Sequence, residues 1–390
     1  MAQKYNKMKT LFFILLFTTT TLHAQVAELT LLDATTHKTI PNAEVYYTNT
    51  LNGTITNEEG KAKITVENDT LTLSHIGYET KKIFTDNSFS KATVYLNPQE
   101  IQLDEVVLYN FDLKKKVKYV LDNYFKLYDT KAKILECTYR EKLIRNDTLT
   151  RLYQVQLDWW SKNYVFHFNK KLNENIQIHL KNTDYSKMLS EEEIAARSVH
   201  LERTPMFMYL FLNTYLSLIN QFGKNIEIKK VEKNKDITKV TFNADIEVSK
   251  NWYLKLENSV IVFDNVTNAV RKVVFNDVDK NIADKISERT KTPFKSITDN
   301  YYLEITFGDY KGKLLFSSYY VRLIGAIEYK GKRDKLFLEH SFLRTGVQNK
   351  HIKKEDRIDI QKSFHEYVTP HKQGEAKFLL TKEEQDFINQ

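Results

Sequence analysis

The sequence predicts a mainly β protein of the α+β class: an N-terminal β-sandwich, then a curved, half-barrel-like antiparallel sheet wrapped around one buried helix. Tyrosine and phenylalanine, 23 of each, are residues that favour strands. Short apolar runs that alternate with polar residues recur between turn residues along most of the chain. One stretch, residues 204–222, is apolar on nearly every side, and a helix of that kind has to be buried.

The predicted central helix has a start signal and an end signal of its own. The Thr204 hydroxyl is suited to cap the first turn, and Pro205 fits the first helical position because its missing N–H costs nothing there. Gly223 follows the last apolar residue, where a left-handed conformation is expected. At ~1.5 Å per residue the helix is roughly 28 Å long, so a large sheet is needed to cover it.

Composition limits the class of protein and its partners. The 390 residues are 42% hydrophobic, which allows a large core and two or three domains. The net charge is +8, but lysine and arginine are scattered, whereas nucleic-acid binding requires a concentrated basic patch, so no nucleic-acid partner is expected. The single cysteine, Cys137, excludes an intramolecular disulfide and is expected to be a small buried residue.

The first 24 residues are typical of a secretory signal peptide. Three lysines precede the apolar run Leu11–Phe17, and the small-residue site Leu22-His23-Ala24 comes before Gln25. The apolar run is too short to span a bilayer, and an uncleaved membrane anchor is the alternative. We therefore expect an exported protein of the periplasm or the outer-membrane face.

Residues 25–97 are predicted to form the β-sandwich. Their short runs place apolar side chains such as Val45 and Tyr47 on one face and polar ones on the other. Asn52-Gly53 and Glu59-Gly60 mark turns between runs. About seven short strands at this spacing are typical of a small sandwich.

Four motifs occur in this segment in the order that one known family has. They are Leu31–Tyr46, Thr54–Gly60, Leu71–Tyr78 and the exit segment Leu103–Val107. On these motifs, residues 26–108 resemble the carboxypeptidase-D regulatory-like domain. The resemblance implies a transthyretin-like β-sandwich without catalytic residues of its own. Such modules accompany zinc carboxypeptidases and begin many outer-membrane TonB-dependent receptors, but a full receptor is not expected here because too few strands follow.

The rest of the chain divides into a linker, a large domain and a tail. Residues 98–113 are expected to be the linker, and residues 348–390 a polar C-terminal tail. Between them, residues 114–347 are expected to be an antiparallel β domain with the central helix 204–222, an architecture similar to that of periplasmic lipoprotein carriers. Its predicted strands are Ile134–Ile144, Leu149–Trp160, Tyr164–Asn169, Ile176–Leu180, Ile226–Glu232, Ile237–Ala244, Trp252–Leu256, Val260–Phe263, Val270–Phe275, Tyr301–Phe307, Lys313–Tyr320, Leu323–Tyr329 and Leu336–Thr345.

Three shorter helices are also predicted. Lys114–Tyr128 has apolar residues along one side at helical spacing. Glu191–Val199 follows a capping box. Near the C-terminus, Thr381 and Glu384 have the spacing of a second capping box, which predicts a last short helix.

Trp159 and Trp160 are adjacent on a predicted strand, where neighbouring side chains face opposite ways. One indole is therefore expected in the core. The other is a candidate surface for a ligand, a membrane or a protein partner. The alternative, and the more common arrangement, is that both faces of the strand are covered by protein.

The pentapeptide Asn-Asp-Thr-Leu-Thr occurs twice and contains Thr70 and Thr148. Its simpler interpretation is a turn followed by the start of a strand. Because Asp-Thr-Leu resembles an O-glycosylation site of some bacterial envelope proteins, both threonines are also candidates for glycan attachment.

The sequence contains no recognisable catalytic set. His-Glu-x-x-His, Gly-x-Ser-x-Gly and the glycine-rich phosphate-binding motifs are absent. Paired carboxylates can serve as acid and base, as at Asp277 with Asp279 or at Glu191–Glu193, but pairs on turns and at helix starts are usually structural. We therefore expect no enzyme, no catalytic residue, no cofactor and no metal site.

These observations favour a non-catalytic, exported cell-envelope protein that acts as a binding or scaffold module in the periplasm or at the outer membrane. Its expected partners are envelope proteins or an outer-membrane complex. Two alternatives remain open: a periplasmic carrier of a lipophilic ligand in a half-barrel cavity, and an accessory subunit of an outer-membrane TonB-dependent uptake system. An envelope hydrolase is a third class that the missing motifs disfavour.

Overall fold

A computed structural model describes residues 25–50, 52–75, 77–98, 111–166, 175–189, 211–249, 252–286, 293–360, 364–368 and 380–389. Their strands form two small sheets and one large sheet, so the mainly β class is confirmed. The predicted signal peptide, most of the linker, the predicted helix Glu191–Val199 and the start of the central helix, with Thr204 and Pro205, lie outside the described residues.

The N-terminal segment folds as two small sheets that share one hydrophobic core. The first sheet has the order β4-β1-β7 and the second the order β3-β2-β5-β6. In β1, β2 and β4 every second residue enters the core, as Val45 and Tyr47 do, because side chains alternate across a strand. The strands are β1 Val26–Asp33, β2 Glu44–Tyr47, β3 Gly53–Ile55, β4 Lys61–Thr65, β5 Asp69–Ser74, β6 Lys81–Thr85 and β7 Lys91–Leu96.

Two glycines, Gly60 and Gly53, are required by the backbone conformation or the packing of this segment. Gly60 has φ +69° and supplies the turn that Glu59-Gly60 predicts. The predicted turn at Asn52-Gly53 is wrong, since Gly53 begins β3. A Cβ there would lie 2.7 Å from the Cβ of Tyr46, so Gly53 is explained by close packing across the sheet.

The large sheet is curved, open and antiparallel, with the order β10-β9-β8-β18-β17-β16-β14-β13-β12-β11, and β15 pairs with β16. Its strands are longer than predicted, and β15 has no predicted counterpart. They are β8 Lys133–Arg145, β9 Thr148–Ser161, β10 Ile176–Met188, β11 Gly223–Lys233, β12 Ile237–Ser249, β13 Trp252–Asp264, β14 Val270–Asp277, β15 Asn281–Ile286, β16 Pro293–Tyr310, β17 Lys313–Tyr329 and β18 Lys332–Gln348.

Two helices precede the sheet where one was predicted. Helix α1 is Leu113–Asp122 and α2 is Tyr124–Leu127, separated at Asn123. The carboxylate of Asp112 accepts a hydrogen bond from the Lys115 backbone N–H at 2.9 Å and so caps α1. The predicted strand Tyr164–Asn169 is wrong in its described part, because residues 164–166 are irregular.

The described part of the predicted central helix is α3, Leu212–Ser217, continued by one π-helical turn, Leu218–Phe222. Leu212, Leu216 and Ile219 are completely buried. The left-handed conformation predicted for Gly223 is wrong: its φ is −64° and it begins β11. A Cβ on Gly223 would lie 2.5 Å from the carbonyl oxygen of Ile219, so close backbone approach explains the glycine.

The main core lies between these helices and one face of the large sheet, here called the inner face. Residues of α1 and α3 share one apolar cluster with Leu135, Cys137 and Tyr139 of β8. Cys137 is 1% exposed, which matches its expected role as a small buried residue. Intervening residues of β8, such as Arg140 and Lys142, point to the opposite, outer face.

The segment after β18 is polar in composition, yet its described residues pack on the sheet. Ile352, Ile360 and Phe364 are each 4% exposed. The predicted last helix is present as α4, Lys382–Asn389. Its capping box is formed, because the Glu384 N–H donates to the Thr381 hydroxyl at 3.3 Å and the Thr381 N–H to the Glu384 carboxylate at 3.1 Å.

Candidate functional site

The N-terminal module is docked on the outer face of the large sheet. One carboxylate oxygen of Glu44, on β2, accepts hydrogen bonds from the hydroxyls of Thr306 at 2.8 Å and Ser317 at 3.1 Å. Glu58 of the module lies 3.6 Å from the ammonium group of Lys142 on β8. These polar contacts join residues more than 80 positions apart and make the module part of the sheet's surface.

A polar cavity of about 160 Å³ lies where three separate parts of the chain meet, and we call it the junction cavity. Arg140, Ser341 and Tyr320 stand opposite one another on β8, β18 and β17, so the sheet supplies one continuous wall. The module and the start of α4 supply the others. Lining residues include Asn42, Thr56, Arg140, Tyr320, Ser341 and Glu384.

Glu384 of α4 is the central anion of this junction. Its side chain is 3% exposed and lies 2.5 Å from Arg140 and 3.2 Å from Lys142. Burial alone would raise the pKa of Glu384, but Arg140 and Lys142 outweigh it and hold the pKa below its usual value of 4.5. The carboxylate thus ties α4 to the sheet at one wall of the cavity.

We expect Glu384→Gln to lower the free energy of unfolding by about 1–3 kcal/mol at pH 7, because the buried Lys142 and the partly buried Arg140 lose their anion. The folded pKa lies below 4.5, so this contribution is complete above pH 4.5 and is lost as the pH falls through the folded pKa. Urea unfolding at several pH values measures it. Glu383→Gln, at an exposed neighbour, is the control; equal losses in both variants would contradict the prediction.

A second polar cluster, here called the buried cluster, lies on the inner face near the end of the core. Glu141 of β8 is 2.9 Å from the Arg151 guanidinium and accepts a hydrogen bond from the Tyr153 hydroxyl at 2.7 Å. The Tyr139 hydroxyl is hydrogen-bonded to Nδ1 of His340 at 2.7 Å. All five side chains are buried, so this cluster is enclosed within the protein.

The electrostatics of the buried cluster favour structure over proton transfer. Burial would raise the pKa of Glu141, but the Arg151 guanidinium and the Tyr153 hydroxyl hold it below its usual value. Burial lowers the pKa of His340 below 6.5, so the ring is neutral at pH 7. For both groups the unfolded chain binds more protons, and their stabilising effect is lost as the pH falls, first below 6.5 and then below 4.5.

Trp159 and Trp160, one of which was predicted to form a ligand or partner surface, are both covered by protein. Trp159 faces inward, is completely buried and meets the rings of Tyr164, Phe211 and Phe316 edge-on. Trp160 faces outward, is 7% exposed and packs against Ile134 and Ile352. Neither indole offers an exposed surface in this structure.

The two repeated threonines differ in accessibility. Thr70 lies in β5, paired with Phe84, and is half-buried. Thr148 is exposed and begins β9 directly after Asn146 and Asp147, both with positive φ, as a tight hairpin turn requires. The predicted turn-and-strand interpretation describes both copies, since a bend at Asn68 precedes the start of β5 at Asp69, and glycan attachment at either threonine stays a prediction.

The carboxylates considered for acid–base chemistry have structural partners. Asp277 is 7% exposed and accepts hydrogen bonds from the backbone N–H groups of Lys255 at 2.9 Å and Asp279 at 3.1 Å. Burial raises the pKa of Asp277 to about 6. Glu191–Glu193 lies outside the described residues. Within the described ranges no group of three or more His, Cys, Asp or Glu is arranged to hold a metal ion.

Sequence reasoning missed the residues that form the junction and the buried cluster. Arg151 and Glu141 carried one usable signal, because both are charged side chains at positions whose alternate neighbours are apolar and inward-facing. Glu384 carried none beyond its capping-box spacing, since its cationic partners are more than 240 positions away.

Among the residues that the structure describes, every helix is too short or too polar to span a lipid bilayer.

Comparisons with known proteins bear mainly on the N-terminal module. In fold, the chain matches a LolA superfamily protein from Nitrosomonas europaea (9% identity, TM-score 0.23, 65% of this chain and 99% of that chain). It also matches a candidate membrane-associated protein of unknown function from Bacteroides fragilis NCTC 9343 (8% identity, TM-score 0.16, 83% and 98%). No curated protein matches it in sequence. Residues 30–108 match the model of the CarboxypepD_reg-like domain, which confirms the resemblance carried by the four motifs.

Proposed function

We propose that this protein is a non-catalytic, exported binding protein of the cell envelope, and that its partner is a protein bound at the junction cavity. One observation carries the proposal: the regulatory-like module, the large sheet and α4 together build the walls of that cavity. A module joined to the sheet only by a flexible linker would not form a cavity together with it. The module and the sheet therefore act as one binding unit.

The size and the chemistry of the junction cavity favour a protein partner. A volume of about 160 Å³ is well below the range of roughly 300–1,000 Å³ for small-molecule pockets. It is suited to one side chain of a partner that covers the surrounding surface. Its lining carries both signs of charge, with Arg140 against Glu58, Glu339 and Glu384, and hydroxyls between them. Such a lining selects a polar side chain by complementary charge.

Photo-crosslinking in the source cells tests the proposal. A photoreactive residue replaces Ile55, which lines the junction cavity, or Lys118 on α1, whose side chain is 62% exposed, as the control. We expect one discrete envelope protein to be captured from position 55 and none from position 118. Capture of a TonB-dependent receptor would support the accessory-subunit alternative. Equal labelling at both positions, or none at position 55, would contradict the proposal.

Export is the premise of this function and has a separate test. We expect the mature protein to begin near Gln25 and to fractionate with the envelope. N-terminal sequencing of the protein from fractionated cells measures both. A retained N-terminus together with a cytosolic location would exclude an envelope partner.

Carriage of a lipophilic ligand is the second candidate, and one observation favours it. A small cavity of about 20 Å³ lies beside the main core, lined largely by aromatic residues such as Tyr124, Trp159 and Phe211. The indole N–H of Trp159, which lines this cavity, is one of the buried polar atoms without a hydrogen-bond partner among the described residues. The cavity holds one water molecule at most, so a lipid requires the aromatic side chains that line it to move apart. Native mass spectrometry of the gently extracted protein tests this second candidate. The carrier function requires a copurifying lipophile, so its absence would contradict it.

A further inference from the structure

One end of the large sheet carries a group of basic side chains around a wide cavity. The cavity measures about 620 Å³ and is formed by the start of β16, the end of β17 and the turn into β18. Four of its lining residues are basic, and we call them the basic tip: Lys295, Lys330, Lys332 and Arg333. Two are acidic, Asp284 and Glu328, so the lining has a surplus of two positive charges.

The basic tip is open to solvent. Lys295, Lys330 and Lys332 are exposed, and the Lys330 ammonium group lies over the ring of Tyr329, 5.2 Å from its centroid. Arg333 forms an exposed ion pair with Glu328 at 3.2 Å. Three lysine ammonium groups are therefore placed where a negatively charged surface can approach them.

Apolar side chains border the same positive charges. Ile282 and Ile286 of β15 are 57% and 65% exposed, which is unusual for isoleucine in a strand. The register places Ile286 opposite Pro293 and Ile282 opposite Ile297, on either side of Lys295. Opposed residues of antiparallel strands share a face, so both isoleucines and Lys295 project from one face of the sheet, together with Asp284 and Glu328, which oppose Lys295 on its two sides.

Exposed isoleucine beside exposed lysine is the arrangement that binds an anionic bilayer. Apolar side chains enter the headgroup region while basic ones remain at the phosphates, and the two contributions add. We propose that the basic tip, with Ile282 and Ile286, docks this protein on the surface of an anionic lipid membrane. The inference rests on the proposed function for one premise, export into the envelope. It goes beyond that function by naming the surface on which the binding unit sits.

Vesicle cosedimentation of the purified protein tests the inference. We expect binding to vesicles that contain phosphatidylglycerol, and little to vesicles of phosphatidylcholine alone. Binding should weaken in high salt, because exposed charges are screened. The variant Lys330→Glu/Lys332→Glu should bind more than about tenfold more weakly, since each lysine near the surface contributes on the order of a fivefold factor. Ile282→Ser/Ile286→Ser should also weaken binding, including in high salt.

The matched control is Lys233→Glu/Lys235→Glu, which changes the net charge equally at the turn between β11 and β12. It should bind like the unmodified protein. Equal loss in both charge variants, equal binding to both vesicle types, or release by soluble glycerophosphate would overturn the inference; release would indicate a site for a free anion. Crosslinking from position 55 should persist in Lys330→Glu/Lys332→Glu, so failure of membrane docking and failure of the junction partner are separate results.

Discussion

Replacing Arg151 with methionine is expected to lower the free energy of unfolding by about 3–5 kcal/mol, which is a large share of the stability of an ordinary domain. The guanidinium lies 2.9 Å from Glu141, and both side chains are almost completely buried. Methionine fills similar space but leaves a buried carboxylate without its cation. Urea unfolding followed by circular dichroism at pH 7 measures the loss.

Two further variants show whether loss of the buried ion pair causes the lower stability of Arg151→Met. Arg333→Met removes an arginine from an exposed pair with Glu328 and should change stability by less than about 1 kcal/mol. Glu141→Leu/Arg151→Met removes both buried charges and should recover part of the loss, because apolar replacements of a buried pair are often tolerated. A double variant less stable than Arg151→Met would contradict the account.

Trp159→Ala is the second substitution with a large expected effect, about 3–5 kcal/mol of unfolding free energy. The indole is completely buried and contacts rings from β17, β18 and the residue before α3, so its removal opens a cavity where sheet and helix meet. Its neighbour gives a matched comparison. Trp160→Ala should cost less, because Trp160 belongs to a small cluster with Ile134 and Ile352.

The order of these two losses, measured by urea unfolding, is the informative result. The indole of Trp159 packs in the main core, whereas that of Trp160 packs in a small cluster between β8 and the segment that follows β18. If Trp160→Ala proved the more destabilising, the inner face of the sheet would not be the main core. Hydrogen exchange of α3 should rise in Trp159→Ala and stay unchanged in Trp160→Ala.

The sequence was informative where one face of a strand is buried. The small sheets at the N-terminus and most strands of the large sheet follow from alternation, because their apolar residues face one core. β15 was missed because Asn281–Ile286 presents both charged and apolar residues to solvent, which leaves no buried face to detect. The first half of β16 was missed for a different reason: Phe294 and Ser296 are buried on one face, but the serine interrupts the apolar alternation.

The sites were less predictable than the fold because their partners come from distant parts of the chain. Glu141 and Arg151 are ten positions apart and meet only through the register of the β8–β9 hairpin. Glu44 and Glu384 reach the large sheet from opposite ends of the chain. A single sequence contains no periodicity that links such positions. Gly223 shows a further limit of prediction from sequence. Glycine is favoured both after the end of a helix and where two backbone segments lie close together, so the residue type alone does not distinguish the two.

The most direct test of the central claim, that module and sheet form one binding unit at the junction cavity, is crosslinking from position 55 after the cavity is filled. Ser341 lines the cavity and is half-buried, so Ser341→Trp should fill it, whereas Ser341→Ala leaves it open. We expect the captured envelope protein to disappear in Ser341→Trp and to persist in Ser341→Ala. Unchanged capture in a folded Ser341→Trp variant would contradict the claim.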